Sequence, residues 1–234
     1  MPSIHPWRSC ASAAALAATT AYAGQPLVTD DAGIVAPKTC QLEGTLRFAR
    51  DGALTAAQPA CNFGGNLEWS AGGAHVAPDS DPSYTLVQLQ LKSALFKAAD
   101  GKASFGASAG ALRDTGAPHG SSAFQTYYGK AIASWYPGDT LEFDFNVGAA
   151  NSRGDGTFAL AGAAVQWTVV AGWQLLGEVF HDEPGRWKYQ LGARSIVVPD
   201  RVELFASFGN HFGRSSATDF IVAGFRLQTP EFLR

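Results

Sequence analysis

Charge is scarce in this chain of 234 residues. Asp, Glu, Lys and Arg together make up 16%, where about a quarter is usual for a soluble domain. Long apolar runs are missing too. No stretch after the N-terminus reaches the roughly 18 residues that a transmembrane helix needs. No segment sustains a helical period with caps, so helices are not the main element. Basic residues form no cluster, which excludes nucleic acid as a partner. Cysteines number three. What the chain does have is apolar residues, 46% of the total, dealt out in alternation.

The first residues read as a secretory signal, 1–23. Arg8 precedes a small-residue apolar stretch from Ala11 to Ala18, and Ala21-Tyr22-Ala23 offers an A-x-A cleavage site before Gly24. Cys10 follows Trp7-Arg8-Ser9, without the apolar residue that lipidation requires upstream. Cleavage leaves one fewer than the 17 basic residues of the whole chain against 20 acidic ones, a net charge of about −4. It also leaves two cysteines, Cys40 and Cys61, in an oxidising compartment, where a disulfide is the default.

Residues 24–39 read as an irregular N-terminal periplasmic lead, and 40–234 as the folded unit. Extended segments recur at 40–49, 52–61, 64–71, 84–97, 103–113, 123–136, 140–149, 157–169, 173–181, 187–197, 201–209 and 217–228, separated by Gly-, Pro- and Asp-rich breakers. Tight connections such as YPGD and VPD alternate with longer ones such as TGAPHG and NHFGRSS. Short turns at one end and long loops at the other are the habit of outer-membrane barrels. Cys40 and Cys61 are symmetric about Arg50–Asp51, so a hairpin turning there sets them opposite each other near the periplasmic rim. The count is twelve antiparallel strands, or ten if that hairpin lies outside the sheet.

Orientation decides the fold class. In TLEFDFNVGA, residues 140–149, Leu141, Phe143, Phe145 and Val147 share one face, with Glu142 and Asp144 on the other. The same alternation sets Glu43, Arg47, Glu68, Lys92, Lys130, Glu178, Lys188, Arg194, Glu203 and Arg226 opposite apolar neighbours. A soluble β-sandwich or lipocalin-like binder would turn these charges to water. Aromatic placement argues otherwise. Trp135, Tyr136, Trp167 and Trp173 flank the tight turns, while Trp69, Tyr84, Trp187 and Tyr189 are assigned to the other end, as two interfacial belts. The expected architecture is therefore an all-β transmembrane barrel with a charged lumen. Six acids balance six bases there, which favours cross-strand pairs over a wide ion-selective pore. Glu178 and Arg194 lie on adjacent strands, within reach of pairing.

The stretches QPLVTDDAGIVAPKTCQLEG, YTLVQLQLKSALF, LLGEVFHDEPGRWKYQLGARSIVVPDRVELFASFG and IVAGFRL resemble the outer-membrane family named for meta-pathway phenol degradation, also labelled transporter. That resemblance implies passage of small hydrophobic or aromatic compounds, with membrane lipid and the barrel-assembly machinery as partners. The ending departs from the usual barrel pattern, because Phe232 is followed by Leu233 and Arg234 and Pro230 interrupts the last strand.

No catalytic, cofactor or metal residues are assigned. His119 with Ser121 and Ser122, and His211 with Ser215 and Ser216, fall in polar loops where composition explains them. Thr29 to Asp31, and Asp79 with Asp81, lack the ligand count of a calcium loop. Arg153-Gly154-Asp155 reads as a turn. A passive channel is the leading function, against a non-conducting structural or adhesive barrel.

Overall fold

The structure, a computed structural model, describes residues 27–116, 123–185, 187–213 and 219–231. The signal segment, His119, Ser121, Ser122, Ser215, Ser216 and Phe232 lie outside the described residues.

Twelve strands form in chain order: β1 (Thr39–Ala49), β2 (Gly52–Asn62), β3 (Leu67–Pro78), β4 (Tyr84–Lys97), β5 (Ala103–Asp114), β6 (Thr126–Gly138), β7 (Leu141–Ser152), β8 (Gly156–Val170), β9 (Trp173–His181), β10 (Lys188–Val198), β11 (Val202–His211) and β12 (Phe220–Gln228). Each pairs antiparallel with its neighbours, and β1 closes on β12. A closed barrel leaves no strand edge to satisfy, the condition for a sheet in lipid. It also excludes the sandwich of two stacked sheets. The ten-strand option falls as well, because β1 pairs with β12 and β2 with β3, which puts the hairpin in the wall.

β3 runs further than its sequence suggests. Gly72 to Pro78 lies beyond the extended segment read at 64–71, yet β2 and β4 supply ladder partners on both sides and draw it into the sheet. Gly72 permits that approach, since a Cβ there would stand 3.1 Å from the Ala57 carbonyl oxygen. Both termini of the barrel, with the turns at 139–140, 171–172 and 199–201, lie at one end, called here the near end. The ends of β5, β9 and β11 and the starts of β6, β10 and β12 lie at the far end. Register shifts in β4–β5, β6–β7, β8–β9 and β10–β11 all fall at the near rim, where bulges let a barrel end its ladder.

Burial is inverted relative to a soluble protein. Asp144 is 0% exposed and Lys188 2%, while Val147 is 65% and Leu191 63%. Burying ions and exposing aliphatic groups is costly in water and favourable when the outer medium is hydrocarbon. Trp69, Trp135, Trp167, Trp173 and Trp187 face outward, all about half exposed, and Tyr189 lies tilted against Phe212 with ring centroids 5.1 Å apart. Three assignments from sequence need correction. Trp69 stands near the start of β3 and so joins the near-end belt. Tyr84 shares its face with Lys92 and packs on an interior cluster of Leu54, Val76 and Leu86. Tyr136 also turns inward, its hydroxyl 3.4 Å from Ser104 Oγ. The far-end belt instead gains Tyr127, which is exposed.

Cys40 and Cys61 face each other in the β1–β2 register and form a disulfide with Cα atoms 4.1 Å apart. Reduction is expected to cost about 2–4 kcal/mol of stability without opening the barrel, read as a shift in the urea midpoint with heat-modifiable gel mobility retained.

Candidate functional site

The lumen has two tiers. Near the far end it is apolar: Phe180, Phe205, Phe220 and Val222 form one buried cluster, and Tyr128, Ala150 and Leu160 another. Toward the near end it is ionic. Glu43, Glu68, Lys92, Lys130, Asp144, Glu178, Arg194 and Glu203 are buried on the inner face, with Glu142 and Arg226 partly so, while the half-buried Arg47 lies at the far end, its guanidinium 4.5 Å from the Phe220 ring. Lys188 lies at the far end, held by Asp182 at 2.9 Å and Glu183 at 2.6 Å.

The ionic tier is not empty. The segment expected to lie in the periplasm runs inside the barrel from Leu27 to Val35, crossing between β8 and β9 and β2 and β3, and is exposed over 36–38 where it meets β1. Twelve strands explain why it fits. Eight leave room for side chains only and sixteen leave a water channel, so twelve accommodate one extended chain. Its backbone cannot form a ladder there, so the barrel's side chains satisfy it. Val28 and Thr29 N–H donate to the two Glu178 oxygens at 2.8 and 2.7 Å. Asn146 brackets Asp30, accepting from its N–H at 2.8 Å and donating to its carbonyl at 2.7 Å. Ala32 N–H donates to Ser134 Oγ at 2.8 Å, and Ser134 donates onward to Asp144 at 2.6 Å. Val35 N–H donates to Glu68 at 2.8 Å while Asn62 donates to the Val35 carbonyl at 2.9 Å.

Charge seats the segment as well. Asp30, 0% exposed, accepts from Lys92 Nζ at 2.6 Å and stands 3.8 Å from Lys130 Nζ. Asp31 lies 3.5 Å from Lys92. These two acids were read from sequence only as weak cation ligands. Their partners are lumen lysines, and among the described residues no three His, Cys, Asp or Glu groups assemble for a metal. The remaining ions pair around the wall. Arg226 sits between Glu43 and Glu203 in register and bonds Glu203, which also lies 3.5 Å from Arg194. The expected Glu178–Arg194 pair does not form. Register sets Glu178 opposite Gln190 and Arg194 opposite Gln174, and Arg194 donates to Gln166 and Gln174.

In the far-end loop, burial alone would raise the Glu183 carboxyl. The neighbouring His211 ring and the Lys188 ammonium outweigh it and hold Glu183 below the usual range. Its contribution to stability is therefore present above the ordinary carboxylate pKa and lost as pH falls through the lowered one. His211, weighed as a catalytic base, is thus engaged 3.6 Å from Glu183.

One contact reports directly on the seating of the segment. A Cβ at Gly162 of β8 would meet Thr29 Oγ1 at 2.3 Å. Gly162→Val is expected to unseat residues 27–30 and leave the barrel closed. Amide exchange at Val28 and Thr29 should then quicken roughly tenfold for each ~1.4 kcal/mol of hold removed; unchanged protection would refute the contact.

The fold has solved counterparts. The KdgM porin superposes with a TM-score of 0.64 at 9% identity, over 80% of this chain and 98% of that one. The NanC porin gives 0.60 at 10%, over 82% and 100%. Omp33 of Acinetobacter baumannii gives 0.54 at 9%, over 82% and 98%. No curated protein matches the chain. A family model matches residues 9–228, nearly the whole length, and the chain belongs to that family, described as Uncharacterised conserved protein UCP029691.

Proposed function

We propose that the chain is an outer-membrane channel for small apolar or aromatic molecules, exported by its N-terminal signal and held closed by residues 27–35. One observation carries the reading: an apolar far-end tier stands above an ionic tier that the protein's own N-terminal segment occupies. A solute arriving from outside first meets side chains that suit a hydrocarbon body, and it passes only when the segment shifts. The similarity in fold to the KdgM and NanC porins supports a channel. The matched family bears no phenol-degradation label, so the aromatic solute rests on the far-end lining and on the resemblance of the strand motifs. Membrane lipid and the assembly machinery are the partners this location requires.

A non-conducting barrel is the second reading, favoured by the number of bonds that seat the segment. Locking separates the two. Thr29→Cys with Gly162→Cys would join the segment to β8, where the Gly162 Cβ position is 3.2 Å from Thr29 Cβ. Proteoliposome flux of benzyl alcohol should stop when this pair is oxidised and return on reduction to a level above wild type, because an unlinked Cβ at 162 crowds Thr29 and unseats the segment, with wild type under reductant as the control for Cys40–Cys61. Flux that persists through the lock removes the gate; a wild type that passes no small solute removes the channel.

A further inference from the structure

The far-end tier holds a cavity of about 40 Å³ with an open mouth, room for more than a single water. Its walls are Leu112, Phe158, Leu160 and Phe180, and its floor is made by Val28 and Thr29 of the lumen segment with Lys130 of β6. The walls would desolvate a compact apolar body. The floor supplies a charge.

Lys130 is the open cation of this cavity. An ammonium carries three donors, yet its nearest carboxylate oxygen, Asp30 Oδ2, lies at 3.8 Å, beyond hydrogen-bond range. The other oxygen of Asp30 is committed to Lys92 at 2.6 Å. Asp182 also faces the cavity, but Lys188 holds it at 2.9 Å. His181 is turned to the Ala159 carbonyl, with Nδ1 at 2.9 Å. A buried ammonium with donors to spare beneath apolar walls fits one ligand chemistry, an apolar body ending in a single carboxylate.

We propose that this cavity is a binding site for small apolar monocarboxylates, with Lys130 anchoring the carboxylate and the far-end aromatic and aliphatic walls holding the body. The inference deepens the channel reading, since it names the solute class and where it pauses, and it rests on the far-end mouth that reading uses.

Binding can be measured without flux. The purified barrel in detergent micelles is titrated with benzoate, benzyl alcohol and benzylamine, three bodies of like shape and different charge. Benzoate should saturate, and bind at least about tenfold more tightly than the other two, the scale of one charge-assisted hydrogen bond. Lys130→Gln should remove that preference. Ala150→Trp, which fills the cavity from β7 without touching a charge, should abolish binding of all three. Arg226→Gln removes a lumen cation that pairs with Glu203 and lines neither the cavity nor its floor, and should leave benzoate affinity within about twofold. Heat-modifiable mobility confirms that each variant is folded, and the two cavity variants stand in for each other if one is not. Equal affinity for the three compounds, no saturation by benzoate, or an unchanged preference in Lys130→Gln would overturn the site. Saturable benzoate binding by a barrel that passes nothing would sink the channel and keep the site; flux without benzoate binding would do the reverse.

Discussion

Deletion of residues 27–36 is expected to convert a barrel of near-baseline conductance into one that opens in discrete, lasting steps in a planar bilayer. The segment is the principal content of the ionic tier: it takes the Glu178 carboxylate, the Asn146 amide, the Ser134 hydroxyl and the Glu68 carboxylate as partners. No strand passes through the lumen to take its place, because all twelve are in the wall. Water would then solvate the freed groups. The wall itself should survive, since every strand keeps both neighbours and the lumen charges retain partners such as Glu203 with Arg226 and Glu43 beside it. Deletion also removes Asp30 and Asp31 while Lys92 and Lys130 remain. The open pore should therefore favour anions over the wild type, read as a shift in reversal potential under a salt gradient. Baseline conductance in a folded deletion variant would mean that the wall's own side chains close the lumen.

The strand count and orientation were legible in sequence because they rest on local regularity. Period-two alternation around Glu142 and Asp144 fixes which residues share a face, and the symmetric cysteines count the first hairpin. The sign of the inside followed from tryptophans beside tight turns. Tyrosine does not mark the interface as tryptophan does: Tyr84 and Tyr136 fall on the same faces as Lys92 and Lys130, and their hydroxyls serve the interior as readily as an interface. The apolar tier was invisible for a related reason. Val76, Leu86, Leu160, Phe180 and Phe220 sit on the inner face near the strand ends, where charge does not mark the parity and an apolar residue can be read either way.

The seated N-terminal segment escaped notice because nothing local distinguishes it from a lead in water. Its bonds to the barrel span 27 to 150 residues of sequence, and no periodicity encodes contacts of that kind. Composition offered one hint. Leu27, Val28, Ile34 and Val35 flank an acid pair, which is too apolar for a solvated linker. The balanced count of lumen ions then concealed the rest. Six acids against six bases look self-sufficient, although Lys92 and Lys130 draw on Asp30 and Asp31 from outside the strands.

That dependence gives the second large effect. Asp30→Ala leaves Lys92, which is 6% exposed, without its 2.6 Å partner, and it takes from Lys130 its 3.8 Å neighbour. Removing one member of a buried pair typically costs about 3–5 kcal/mol, because the remaining charge has lost its compensation. Asp31 stands 3.5 Å from Lys92 and is only partly buried. It can follow the vacated charge, which places the expected loss near the lower limit, about 3 kcal/mol. The midpoint of urea unfolding from micelles should fall accordingly. Lys92→Gln in the Asp30→Ala background should recover most of that loss, since it removes the stranded ammonium and leaves a neutral amide. Lys188→Gln in the same background, far from Asp30 and paired to Asp182 and Glu183, should lower stability further. A double variant at 30 and 92 no more stable than Asp30→Ala alone would mean that the Asn146 bracket, rather than charge, seats the segment.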